Sequence, residues 1–112
     1  PKTMMRRRPA ESTAEIAERV RKARERQKAR LASEGVFCNA SMNNRMIEKH
    51  CHLDSRCSGL LEKLIDKAGF SARACSRIIK LARTIADLEG AESIMPEHIA
   101  EAAGYRILDK LG

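Results

Sequence analysis

Apolar residues recur every three or four positions along most of the chain, which is the spacing of one buried face of an α-helix. The spacing is clearest after Asp54, where it predicts a helix that runs to about Ala68. Gly69 and Phe70 then supply the glycine and the following hydrophobic residue that commonly end a helix. The apolar positions of this helix are Cys57, Leu60, Leu61, Leu64, Ile65 and Ala68.

Two further helices follow in the second half of the chain. The first is capped by Ser71, runs to about Glu89 and is ended by Gly90. The second opens at Pro96, which suits the first helical position because the N–H that proline lacks would be unsatisfied there. It runs to about Lys110. Both carry one apolar face, so both are expected to pack inward.

The first half of the chain predicts a long helix and a short one. Ser12 caps the long helix in a capping box with Glu15, and the helix covers about residues 13–33. Its apolar stripe is narrow, so we expect this helix on the outside of the fold. The short helix covers about residues 42–50, with Ser41 as its cap. The narrow stripe consists of Ile16, Val20, Ala23, Gln27 and Leu31.

Composition favours an all-α fold. The chain has 112 residues, of which 43% are apolar but only 3% aromatic, so its core must be aliphatic. Aliphatic residues of this kind favour helices packed on helices over a sheet. We therefore predict a compact bundle of four to five helices over residues 12–112, as one domain of a larger protein. Residues 1–11 contain two prolines and no periodicity, and are expected to be a flexible linker.

Positive charge is concentrated in the first third of the chain. Residues 1–34 hold eleven of the 22 Lys and Arg residues against five acids. A solvated helix face is the usual explanation for such a run, and contact with nucleic acid or with an acidic domain is the alternative. Because no aromatic residues are interleaved, any DNA contact is expected at phosphates rather than bases. The candidate nucleic-acid-binding residues are Arg19, Arg21, Lys22, Arg24, Arg26, Lys28 and Arg30.

Histidine and cysteine also cluster, at His50-Cys51-His52 with Cys57. These residue types bind zinc, but adjacent residues point in different directions and no CxxC or HxxxH pair is present. We therefore predict no metal site, with both cysteines as small core residues. Scattered cysteines in a charged chain without a secretory signal favour reduced thiols and a cytoplasmic protein, and no membrane partner is expected.

Arg73 is the most unusual single residue. It lies two residues after the Ser71 cap, where its charge opposes the positive end of the helix dipole. Arg77 and Lys80 follow on the same side of that helix. A helix start with a forked guanidinium is well suited to binding phosphate. The residue chemistry leaves two explanations open, namely a phosphate ligand and an exposed arginine or one paired with a neighbouring acid.

The segments FSARA (70–74), RIIKLARTIADLEG (77–90) and HIAEA (98–102), followed by Tyr105-Arg106, resemble the C-terminal part of magnesium-chelatase-like AAA+ ATPases. The resemblance extends over about residues 12–109 and points to the bacterial competence-protein-M type. It implies a helical lid that packs over nucleotide held by an upstream core. It further implies that Arg73 is the sensor 2 arginine that reaches the ATP γ-phosphate, with Arg77 as a possible second contact.

The sequence contains no GxxxxGK[ST] loop, so the chain alone is not expected to hydrolyse ATP. The resemblance implies ATP and magnesium as cofactors of the full-length protein and none for the isolated domain. It implies the upstream AAA+ core and neighbouring subunits of a ring as partners, with DNA as the substrate. Two alternatives remain, a true magnesium chelatase subunit that serves metal insertion into a porphyrin and a plain basic nucleic-acid-binding module.

Overall fold

The computed structural model describes the backbone of residues 11–111 and the side chains of residues 11–106. Within this part of the chain the fold is all-α, as predicted. Two 3₁₀ turns, Ala32–Glu34 and Asn39–Ser41, lie between the first two helices. The helices are α1 (Thr13–Leu31), α2 (Asn44–His50), α3 (Ser55–Ala68), α4 (Ala72–Glu89) and α5 (Pro96–Leu111). The expected linker lies outside the described residues except for Glu11.

Cap residues fix most of the helix ends where the sequence predicts them. The Ser12 hydroxyl and the Glu15 carboxylate form the predicted capping box of α1. Gly69 and Gly90 end α3 and α4 in the left-handed backbone conformation, with φ of 68° and 77°. Residues other than glycine rarely adopt this conformation. Phe70 is buried behind the end of α3, as the sequence predicts.

The predicted start of α2 is wrong by two residues. Ser41 does not cap this helix but ends the 3₁₀ turn Asn39–Ser41. Asn43 is the cap, and its side-chain oxygen accepts a hydrogen bond from the Met46 amide at 2.9 Å. Serine and asparagine are equally good caps, so the difference comes from the tertiary position of Asn39, which is completely buried.

The core lies where α4 and α5 pack against each other, with α1 and α3 added at their sides. Ile78, Ala82 and Ile85 of α4 and Ile99 of α5 are almost completely buried. Burial of an isoleucine side chain contributes about 1.5–3 kcal/mol. As predicted from its narrow stripe, α1 buries only Ala23, Gln27 and Leu31.

A buried polar cluster ties α1 and the Asn39–Ser41 turn to α4. Asp87 is 1% exposed, and its carboxylate accepts two hydrogen bonds from Arg30, at 2.7 and 2.9 Å. It also accepts one from the Asn39 side-chain amide at 2.9 Å and lies 3.2 Å from the Arg83 guanidinium. The same Arg83 donates to the carbonyls of Ala91 and Glu92. Arg83 and Asp87 of the ARTIADLEG segment are therefore structural residues.

Candidate functional site

The first half of α4 forms one wall of a cavity of about 380 Å³ that opens to solvent. We call it the α4 groove. Its other wall comes from the start of α2, and the two are joined by a hydrogen bond of 3.0 Å from the Ser76 hydroxyl to the Asn44 side-chain oxygen. The residues that line the α4 groove are Asn44, Ala72, Arg73, Ser76, Arg77 and Lys80. They include three cations and no acid.

The structure brings the two predicted phosphate contacts together in this groove. Arg73 and Arg77 are both exposed, and neither has a hydrogen-bonding or ionic partner among the described residues. Lys80 is half-buried and donates a hydrogen bond of 3.2 Å to the Ala40 carbonyl. Two of the three cations in the groove are therefore free to bind an anion, and the third holds the neighbouring loop.

Arg56 provides an internal comparison for Arg73, because each is the second residue of its helix. The cap of α3 is Asp54, whose carboxylate lies 3.1 Å from the Arg56 guanidinium. The cap of α4 is Ser71, whose neutral hydroxyl accepts only the Ala74 amide. The charge of Arg56 is therefore compensated by its acidic cap, whereas the charge of Arg73 has no such carboxylate beside it.

The electrostatics of the α4 groove favour an anionic ligand. Arg73 opposes the helix dipole, an arrangement that costs a few tenths of a kcal/mol or more. Arg73 and Arg77 are one turn apart, and like charges at this spacing cost about 0.2–0.5 kcal/mol. A phosphate group would relieve both costs and accept charge-assisted hydrogen bonds from the two guanidiniums. The groove can therefore bind and orient phosphate, and it offers no carboxylate to hold magnesium.

A second cavity of about 420 Å³ adjoins the α4 groove. The two share Arg77 and Lys80, and the second is further lined by Ala40, Leu81 and Thr84. The sequence does not predict that residues 40 and 44 line these cavities, because tertiary folding brings them next to α4. Asn44 and Ser76 are the polar groove residues that sequence reasoning missed.

Several of the seven bases of α1 serve the fold itself. The Arg19 guanidinium forms two hydrogen bonds with Glu11, at 2.7 and 2.8 Å, and Arg30 binds Asp87. Arg26 donates to the Asp87 carbonyl at the end of α4, at 3.0 Å. These three arginines link α1 to neighbouring parts of the fold. Arg19 and Arg30 are neutralised by the carboxylates that they bind, whereas Arg26 is exposed and binds a carbonyl.

The other four bases of α1 form no hydrogen bond or ion pair with another element of the described chain. Arg21 pairs with Glu18 at 2.8 Å, and Lys22 lies 4.0 Å from the same carboxylate. Lys28 lies 3.9 Å from Glu25. Among the seven, Arg24 alone has no partner within the described part of the chain. The outer face of α1 is thus a mixed-charge surface rather than a continuous basic one.

The histidine and cysteine cluster does not assemble. Cys51 and Cys57 are buried, as predicted, and burial raises the pKa of the Cys51 thiol to about 11. His52 is exposed, whereas the His50 ring donates a hydrogen bond of 2.7 Å to the Glu34 carboxylate. Hydrogen bonds from Arg45 and His50 lower the pKa of Glu34 to about 2. No group of three potential metal ligands occurs among the described residues.

The described residues form a helical domain with an arginine-lined groove at the start of α4. The family model described as "Magnesium chelatase, subunit ChlI C-terminal" matches residues 10–106. The chain belongs to this family. It is the C-terminal helical lid domain of a magnesium-chelatase-like AAA+ protein.

Three curated relatives support the assignment. The chain is 43% identical over 101 residues to Competence protein ComM of Haemophilus influenzae. It is 39% and 41% identical to proteins named Uncharacterized protein YifB in Escherichia coli and Salmonella typhimurium. Each match covers 90–92% of this chain but only 19–20% of the relative. The chain therefore spans about one fifth of the length of these proteins.

No solved structure matches the chain at a significant level. Among the described residues, no helix is both long and apolar enough to cross a membrane.

Proposed function

We propose that Arg73 is the sensor 2 arginine of this protein and that it binds the terminal phosphate of ATP held by the upstream AAA+ core. The observation that carries the proposal is the free guanidinium of Arg73 in an acid-free groove, at a helix start where its charge is unfavourable. Local arrangements that cost stability without a structural return are most common at functional sites.

The domain would act on ATP by positioning and by charge. An arginine close to the β- and γ-phosphates stabilises the negative charge that develops during phosphoryl transfer. The groove has no acid, so the residues that hold magnesium and activate water would belong to the rest of the full-length protein. The domain alone would bind phosphate weakly and would not turn ATP over.

The partners we propose are the upstream core of the same chain and the neighbouring subunits of a ring. DNA is the proposed substrate of the full-length protein, in keeping with the name of the Haemophilus influenzae relative, a competence protein. The relatives at 39–43% identity are not named as chelatase subunits, so we favour this role over metal insertion into a porphyrin. We place the protein in the cytoplasm, because all four cysteines are free thiols.

The test is ATP turnover by the full-length protein carrying Arg73→Gln. Loss of one charge-assisted hydrogen bond is worth about 1.5–3 kcal/mol, so we expect kcat/KM for ATP to fall by roughly 10- to 100-fold. Arg56→Gln is the matched control, since it removes an arginine from the same position of α3 without changing the groove. We expect its turnover to equal that of the unmodified protein.

Equal turnover and equal ATP affinity in the Arg73→Gln and Arg56→Gln proteins would reject the sensor role. A loss of turnover caused by unfolding is distinguished by the thermal unfolding midpoint. Because Arg73 forms no hydrogen bond or ion pair within the described residues, its removal should leave the midpoint unchanged or slightly higher.

A further inference from the structure

We propose that Arg77 is a second phosphate ligand, so that the α4 groove holds the nucleotide with a pair of arginines rather than with Arg73 alone. This inference rests on the proposed function of Arg73. Arg77 lies in the interior of α4, away from the cap and the end of the helix dipole. Its substitution therefore gives a prediction for ATP binding that is separate from the one for Arg73.

The first argument is the distribution of arginine partners. Eight of the eleven arginines in residues 11–106 have a hydrogen-bonding or ionic partner. The three without one are Arg24, Arg73 and Arg77. Two of these three line the same cavity. Arg24 lies apart on α1, whereas Arg73 and Arg77 share one groove that has no acid, and this placement favours a shared external anion.

The second argument is spacing. Arg73 and Arg77 are four residues apart on α4, so their side chains leave the same face of the helix about 5–6 Å from each other. Long, flexible side chains at this separation can converge on one phosphate group or on two adjacent ones. Arginine presents a fork of donors that binds phosphate oxygens in pairs. Two such forks would hold the terminal phosphate more selectively than one.

Lys80 differs from Arg77 although it lines both cavities with it. The Lys80 ammonium group donates to the Ala40 carbonyl and so fastens the loop before α2 to α4. We therefore assign Lys80 to the groove wall and Arg77 to the ligand.

The experiment compares ATP and ADP affinity and ATP turnover for full-length proteins carrying Arg77→Gln, Arg73→Gln or the control Arg56→Gln. We expect Arg77→Gln to weaken ATP binding about tenfold or more, and to weaken ADP binding less, because ADP lacks the terminal phosphate. Its thermal unfolding midpoint without nucleotide should stay unchanged or rise, since the substitution removes a like-charge repulsion.

The possible outcomes separate this inference from the proposed function. If Arg73→Gln impairs ATP binding while Arg77→Gln behaves as the Arg56→Gln control, the second-ligand assignment is overturned and the sensor role stands. If neither substitution has an effect, both proposals fail. If Arg77→Gln lowers the unfolding midpoint and weakens ATP and ADP equally, Arg77 is a structural residue and the inference is also overturned.

Discussion

At the scale of single residues, pairing separates structural arginines from functional ones. Arg30, Arg56 and Arg83 each lie beside an aspartate, and Arg30 and Arg83 share the buried Asp87. Arg73 has the same chemistry but no such neighbour. The sequence alone draws attention to Arg73 through its position near the Ser71 cap. It cannot show that Arg83 is structural, because the carbonyls of Ala91 and Glu92 reach it only in the folded chain.

The cap residue should therefore control whether Arg73 is available. Ser71→Asp would place a carboxylate beside Arg73, as Asp54 lies beside Arg56. We expect this variant to bind ATP roughly tenfold more weakly, while its stability is unchanged or about 0.3–1 kcal/mol higher, because an acid suits the start of a helix. Nucleotide titration and thermal unfolding of the full-length protein measure the two effects.

Ser71→Asn is the matched control, because asparagine is an equally good cap without a charge. Its ATP affinity should match that of the unmodified protein. Full ATP affinity in the Ser71→Asp variant would show that a free Arg73 is not what the nucleotide requires.

At the scale of elements, α1 is a basic helix whose charge has two uses. Arg19, Arg26 and Arg30 bind α4 and the residues before α1, and the other four bases bind no other element of the described chain. The sequence predicts the length and the narrow apolar stripe of α1 correctly. It does not distinguish the two sets of bases, because the partners of Arg26 and Arg30 lie 61 and 57 residues further along the chain.

This division predicts how α1 would contribute to DNA binding. In a salt titration of duplex DNA with the full-length protein, Arg24→Gln together with Lys28→Gln should reduce the log–log salt slope by about 2, roughly one unit for each phosphate that is no longer neutralised. Arg19→Gln is the control. It should leave the slope unchanged and lower the unfolding midpoint, because the charge of Arg19 is neutralised by the Glu11 carboxylate that it binds. No binding at low salt, or a larger slope change in Arg19→Gln, would contradict this role for α1.

At the scale of the whole molecule, features set by local sequence could be predicted, whereas features set by contacts between distant residues could not. Helix ends marked by Gly69, Gly90 and Pro96 follow from the sequence, because each residue has a conformational reason to be there. The start of α2 and the wall supplied by Asn44 do not, because they depend on where Asn39 is buried. The cations of the groove could be predicted, but its shape could not.

Two sets of contacts hold the elements around the α4 groove. The Asp87 cluster fixes α1 and the Asn39–Ser41 turn to α4, and the bond from Ser76 to Asn44 fixes the opposite wall. Arg73 and Arg77 therefore extend from a helix whose backbone is held by packing, so that only their side chains have to be ordered when a ligand binds.

The most direct test of the central claim is an experimental structure of the full-length protein with a non-hydrolysable ATP analogue and magnesium. We predict that the Arg73 guanidinium lies about 2.7–2.9 Å from an oxygen of the terminal phosphate, the distance of a charge-assisted hydrogen bond. The nucleotide would be held by the core of the same subunit or of its neighbour. A fully bound nucleotide whose phosphates make no contact with Arg73 would contradict the account.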